Sequence, residues 1–415
     1  MELPEPSSVD MDYTVKLLSE LIRVPTVNPP GEHYWDIVVL LRDALRDLGL
    51  ETEVHRVPQD IVRRLQPWAG DRPRFILVAR LGRGRPVLHF NGHYDVVPPG
   101  SGWSMDPFRP VVREGRVYGR GASDMKGGIA AIIGAVKALL DEGWAPERGT
   151  LELSFTPDEE TGGETGVGYM LEKGIVSPDY AVVAEPSTTS RIWIGSRGAV
   201  WARVRIWGRQ AHGSAPWLGL NAFDAMVEIA YRLIHGYAKK LAGRKTELPM
   251  DDPRAAHPTV TLGGEVRGGA KTNIVPGYYE FTVDRRLIPG EDPAEVEEEL
   301  RAAVMEAAGE AGLLEKGYRV GLSVEGRAPA AWIPPDHPFV ELFAAAVEKV
   351  VEAEPLRTIC IGGLDTRFFQ ERGIAALTYG PGGLAVAHMP DEYVPIGELE
   401  RAAKVYTVVA KKLLG

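Results

Sequence analysis

PVLHFNGHYDVVPPG, residues 86–100, and GRVYGRGASDMKGG, residues 115–128, decide how this chain folds. Residues 86–91 form a short apolar run closed by Gly92, the pattern of a buried strand. Such a strand delivers His93, Tyr94 and Asp95 at its carboxyl end. The second piece delivers Asp124 and passes at once into an apolar helix, expected over 127–142. Glycine-rich turns that bring a histidine and an aspartate to the ends of hydrophobic elements suit a metal site on an α/β sheet. A neutral imidazole offers one nitrogen, a carboxylate two residues on can hold the other and fix the tautomer, and an aspartate can bridge two cations. Taken alone, His93 also fits a packed strand-end residue and Asp124 a helix cap.

Upstream, helices are expected at 11–23 and 34–48, and strands at 51–57 and 74–80. Downstream, a strand at 150–155 runs into TPDEETGG, and another at 180–184 delivers Glu185. Strands alternating with helices predict an α/β fold with a mostly parallel sheet covered on both faces. The pattern changes near 195. Residues 199–207 alternate apolar and polar, as a sheet with one wet face does. A helix at 221–241, strands at 260–266 and 278–286, a helix at 293–311 and a strand at 319–325 complete a split βαβ pattern, a ferredoxin-like α+β unit. We therefore expect an inserted domain at 195–330 and a first domain in two parts, 1–194 and 331–415. The second part carries helices at 338–353, 366–371 and 396–414, a strand at 374–378, and a glycine loop leading to His388.

Bulk composition narrows the function. With 415 residues the chain is long for one core. A net charge of −10 argues against a partner bound through phosphates, so no nucleic-acid role is expected. The single cysteine, Cys360, excludes an intrachain disulfide and a zinc ribbon. The apolar helix at 128–140 is too short for a bilayer and carries Lys137. MELPEPSSVD has no basic-plus-apolar leader pattern, and a soluble, cytoplasmic protein is expected.

His93, Asp124, Glu160 and Glu185 each sit just past a buried strand or just before a helix, and His388 lies in a late loop. Beyond the carboxyl ends of parallel strands such groups converge. In the Glu159–Glu160 pair one carboxylate can bind metal while the other serves as general base. Two imidazoles with carboxylates and no thiolate suit Zn²⁺, with Co²⁺ or Mn²⁺ as substitutes. A non-catalytic binding protein of this fold would be expected to lose at least one of these costly carboxylates.

HYDVVP, GRGASDMKGG, TPDEETGG, VVAEPS, GRQAHGSAP, KTNIVPG, DRR and AHMPDEY, in this order across nearly the whole chain, resemble the M20 family of metallopeptidases and deacylases. Within it they resemble the branch of acetylornithine deacetylases and succinyl-diaminopimelate desuccinylases. The resemblance implies a two-zinc catalytic domain with an inserted lid or dimerisation domain, a homodimer, and hydrolysis of an N-acyl amino acid or, alternatively, of a peptide as a carboxypeptidase or dipeptidase. It implies that His93 and Glu185 hold one metal, Glu160 and His388 the other, and Asp124 both. Asp95 would orient His93, and Glu159 would act as the base. By the same resemblance His212 stabilises the oxyanion, commonly from the partner subunit, while Asn273, Arg286, Gly363 and Arg367 contact substrate.

Overall fold

A computed structural model describes residues 2–415. Its main strands, in chain order, are β1 (Glu51–Arg56), β2 (Phe75–Arg83), β3 (Val87–His93), β4 (Gly149–Thr156), β5 (Tyr180–Val183), β6 (Arg191–Ser196), β7 (Gly198–Trp207), β8 (Thr259–Gly268), β9 (Tyr278–Leu287), β10 (Arg319–Ala328) and β11 (Ala375–Thr378). The helices used below are α1 (Met11–Arg23), α2 (Tyr34–Asp47), α3 (Lys126–Asp141), α4 (Ala222–Arg232), α5 (Pro293–Glu310), α6 (Pro338–Val351), α7 (Thr366–Gln370) and α8 (Ile396–Leu414). The chain divides into two compact units: residues 1–195, 332–358 and 364–415, and residues 196–331 and 359–363.

In the first unit the strand order is β1-β2-β4-β3-β5-β11-β6. The central strands β4, β3, β5 and β11 are parallel, while β1, β2 and β6 pair antiparallel towards the edges. The expected mostly parallel centre is therefore present. Every residue of β4 is buried, and β3 is buried from Leu88 to His93, because helices cover both faces. Two glycines set the approach of α3. A Cβ at Gly92 would stand 2.7 Å from Ile129 Cγ1, so the bare backbone lets α3 lie on β3. A Cβ at Gly128 would stand 2.0 Å from the Ala184 carbonyl oxygen, so the start of α3 passes directly against the segment leading to Glu185. Strand β3 runs to His93 itself, two residues beyond the expected end. Strand β6 has no counterpart in the sequence-based reading. Its apolar run, Ile192–Ile194, is only three residues long, and burial on both faces removes the alternation that would mark it.

The second unit is an antiparallel sheet in the order β8-β9-β7-β10. This is the split βαβ topology expected from the sequence. Ala202, Val204, Ile206, Phe281 and Val283 of the sheet pack with Ile229 of α4 and Leu300 and Val304 of α5. The opposite face carries Arg203, whose guanidinium meets Glu265, Glu280 and Glu325. Helix α4 continues through a wider π turn, Leu233–Tyr237, into the helix Ala238–Ala242. No helix among the described residues is long and apolar enough to cross a membrane.

Candidate active site

Parallel strands put their carboxyl ends on one edge, and the chemistry gathers there. His93 closes β3, Glu159 and Glu160 lie in the 3-10 turn after β4, Glu185 follows β5, and Asp124 precedes α3. His93 Nε2 lies 3.2 Å from Asp124 Oδ1, 3.5 Å from Glu185 Oε1 and 4.0 Å from Glu159 Oε2. His388 Nε2 lies 3.1 Å from Glu160 Oε2 and 3.3 Å from Asp124 Oδ2. The two oxygens of Asp124 thus face one imidazole each. Ligand atoms of His93, Asp124 and Glu160, and of His93, Glu159 and Glu185, lie within 4.8 Å of one another in each group.

Asp95 does more than face the ring. His93 Nδ1 lies 3.0 Å from the Asp95 main-chain carbonyl and 3.5 Å from Asp95 Oδ1. The Asp95 carboxylate also accepts the main-chain N–H groups of Glu159 and Glu160, each at 3.3 Å. One buried residue therefore anchors both the histidine, through its main-chain carbonyl, and the acidic turn, through its carboxylate.

The electrostatics are those of crowded acids. Burial pushes Glu185 up to about 8. Burial and then the charge of Asp124 push Glu160 up to about 7. Burial, followed by neighbouring Glu185, holds Glu159 well above the usual carboxylate range. Hydrogen bonds from His388 and His93 outweigh the burial of Asp124 and keep it below that range. Contacts with Asp124 and Glu160 raise His388 to about 10. Burial disfavours a charged His93, but Glu185, Asp124 and Asp95 outweigh it and raise its pKa. Among the described residues no lysine or arginine is paired with Asp124, Glu159, Glu160 or Glu185, and Glu185 Oε1 is buried without a hydrogen-bond partner. Surplus buried negative charge, an orphaned acceptor and a donor set of nitrogen and oxygen fit divalent cations.

The other sequence-derived candidates are placed differently. His212, Asn273, Arg286 and Gly363 belong to the second unit. His212 is exposed, pairs in register with Ile274 in a two-residue ribbon, and has Nδ1 2.7 Å from Ser214 Oγ. The Asn273 carbonyl accepts the N–H of Gly213, which brings these two segments together. Arg286 Nε lies 2.8 Å from Asp284 Oδ1, and its guanidinium stands over Trp201. Gly363 falls in 359–363, a short segment that clusters with the insert. Arg367, in the first unit, is nearly buried and donates to the Gly162 carbonyl at 2.6 Å and to Glu164 Oε1 at 3.2 Å. It clasps the loop that follows Glu160.

Several further residues at this site lie outside the sequence-derived set. Asp158 is fully buried and accepts from Arg74 Nε at 2.7 Å, Tyr34 OH at 2.8 Å and Asn28 Nδ2 at 3.2 Å. Glu392 Oε1 accepts the N–H groups of Ser123 and Asp124 at 2.9 and 3.0 Å, and its other oxygen meets Arg120. Asp365 is buried, with Oδ2 lacking a hydrogen-bond partner, and burial pushes it up to about 7. Glu392 lies inside AHMPDEY, so that motif held a usable signal, whereas Arg74 at the head of a strand did not.

Residues 89–412 match the family described as peptidase family M20/M25/M40. A succinyl-diaminopimelate desuccinylase of Methylobacterium radiotolerans is 31% identical over 404 residues, covering 95% of each chain. One from Gluconacetobacter diazotrophicus is 31% identical over 415 residues, covering 96% of each. Among solved structures, human carnosine dipeptidase 1 superposes with a TM-score of 0.77 at 17% identity, covering 97% of this chain and 96% of that one. An M20 family metallo-carboxypeptidase from Sulfolobus solfataricus superposes with a TM-score of 0.74 at 22% identity, covering 96% and 98%.

Proposed function

The chain belongs to peptidase family M20/M25/M40, whose members are metal-dependent amidohydrolases, and from that premise we propose that it removes the acyl group from an N-acyl amino acid. The observation that carries this reading is the group of four carboxylates, buried Asp124 and Glu185 with partly buried Glu159 and Glu160, facing two imidazoles with no lysine or arginine paired to them among the described residues. With both imidazoles and all four carboxylates deprotonated for ligation, that group would carry about four negative charges, which two divalent cations would balance. His93 and Glu185 would hold one, Glu160 and His388 the other, and Asp124 would touch both. Zinc is the first choice for this donor set, with cobalt or manganese as substitutes. Bound there, the ions supply positive charge that polarises the scissile carbonyl and acidifies water at neutral pH.

The rest falls to the protein's own side chains. Glu159 accepts the proton of the attacking water on its carboxylate and returns it to the departing amine. Asp95 keeps His93 in one tautomer through Nδ1 and holds the amides of the turn on which Glu159 sits. His212 donates to the oxyanion, and Asn273, Arg286, Gly363 and Arg367 line the substrate side. In this reading the insert, 195–330, is the lid and the dimer contact of a cytoplasmic homodimer. The substrate class follows the desuccinylases that the chain resembles over nearly its full length.

A panel of succinyl-diaminopimelate, acetylornithine, other acyl amino acids and dipeptides, assayed with added Zn²⁺ or Co²⁺, tests the proposal. Preferred cleavage of an acyl amino acid supports it. Preferred cleavage of dipeptides would move the assignment to a peptidase, and no cleavage of any of them would overturn it.

A further inference from the structure

The loop between α1 and α2 makes no contact that the proposed mechanism uses, yet it ends against the acidic turn. Its backbone runs beside residues 94–96: the Val96 N–H donates to the Thr26 carbonyl at 3.0 Å, and the Asn28 N–H donates to the Val96 carbonyl at 2.9 Å. This places the Asn28 side chain, 1% exposed, among three turns. Asn28 Nδ2 lies 2.9 Å from Asp95 Oδ2, 3.2 Å from Asp158 Oδ1 and 3.0 Å from Thr161 Oγ1. Asp95 in turn accepts the amides of Glu159 and Glu160. Behind Asn28, Arg74 donates to Asp158 Oδ2 and to the Pro30 carbonyl, so one guanidinium ties the end of β4 to the loop that carries Asn28.

The chemistry of the amide explains the choice of residue. Asp95 and Asp158 are fully buried anions, and only Asp158 has an arginine. A neutral donor between them satisfies both and adds no charge. An aspartate would add a third anion, and an aliphatic residue would take one donor from each of the two acids, leaving Asp95 Oδ2 only the Glu160 N–H and Asp158 Oδ1 only the Tyr34 hydroxyl. We infer that Asn28 is a positioning residue for the reaction: through Asp95 and Thr161 it fixes the turn that presents Glu159. This rests on Glu159 being the base.

The backbone hydrogen bonds that seat Asn28 do not involve its side chain, so Asn28→Ala retains the loop. In the metal-loaded protein, Asn28→Ala should keep KM within about twofold and lower kcat by roughly thirtyfold. Metal content after dialysis should be unchanged. Thr161→Val removes one of the three acceptors and should lower kcat by about threefold. In a Glu159→Gln background, Asn28→Ala should add nothing, because it acts through a group already removed. A merely structural role predicts lower thermal stability with kcat intact, or metal loss. Either of those results, or additive losses in the double variant, would overturn the inference. Should Asn28→Ala fail to fold, an unchanged kcat in Thr161→Val overturns it. If Glu159→Gln itself turns over normally, the base assignment fails instead, which separates the two outcomes.

Discussion

The turn carrying Glu159 and Glu160 and the loop carrying His388 end at the same cluster, but they are held there by different means. Beneath the turn lies a dry network of charges, Arg74, Asp158 and Asp95, all fully buried, with Asn28 between the acids. The His388 side chain is 51% exposed, and the glycine segment before it is tethered through main-chain N–H groups. The Gly383 N–H donates to Ser123 Oγ at 3.0 Å, and the Gly382 N–H donates to Glu398 Oε2 at 2.8 Å. A buried ionic brace leaves an uncompensated charge when one member goes, whereas an exposed latch relaxes into water. Damage to the brace beneath the turn should therefore cost turnover and stability, and damage to the His388 loop should cost metal affinity.

The largest effect sets the two sides against each other directly. Glu159→Gln should lower kcat by about a thousandfold with bound metal unchanged. His388→Ala should instead lose metal before it loses protein stability. Kinetics with elemental analysis decides, and metal loss in Glu159→Gln would erase the distinction. Next, Arg74→Met should destabilise the fold by about 3–5 kcal/mol in denaturant unfolding, because Asp158 then keeps a buried, unpaired charge. Adding Asp158→Asn should recover part of that loss, and strictly additive losses would refute the brace. On the loop side, Ser123→Ala should weaken metal affinity by about tenfold with little change in stability. A stability loss as large as that of Arg74→Met would break the comparison.

The smallest effect is one of pH. Without metal, burial keeps protons on Glu160, at about 7, and Glu185, at about 8. The unfolded chain gives these protons up near the ordinary carboxylate value. Between about pH 5 and 8 the folded metal-free state thus binds more protons than the unfolded one, so its stability falls as pH rises. Metal ligation requires the deprotonated carboxylates and removes that slope. Thermal midpoints of chelated and loaded protein should draw apart by several degrees across that range. A constant gap would contradict it.

Much of the first unit was legible because its signals are local. The run before His93, the glycines before Asp124 and the buried strand before Glu185 each declare themselves within about ten residues. The wet face of β7 declared the insert in the same way, through alternation from Ala199 to Trp207. Arg367 shows the limit. Nothing local in GGLDTRFF announces that its guanidinium clasps the Gly162–Glu164 loop. Arg74 shows it more sharply, since an arginine at the head of a strand reads as a surface charge, yet it is wholly buried.

The sequence by itself determined most of the order of strands and helices, and a set of nitrogen and oxygen donors near strand ends. Period and turn chemistry are written within a few neighbouring residues, so one chain suffices to read them. Only the tertiary structure decided which charges are dry and who neutralises them. Arg74 meets Asp158 across 84 positions and Asn28 meets Asp158 across 130, and no local pattern encodes a partner so far away. Burial makes those pairings obligatory, because an acid without water must find its donor wherever the fold brings one.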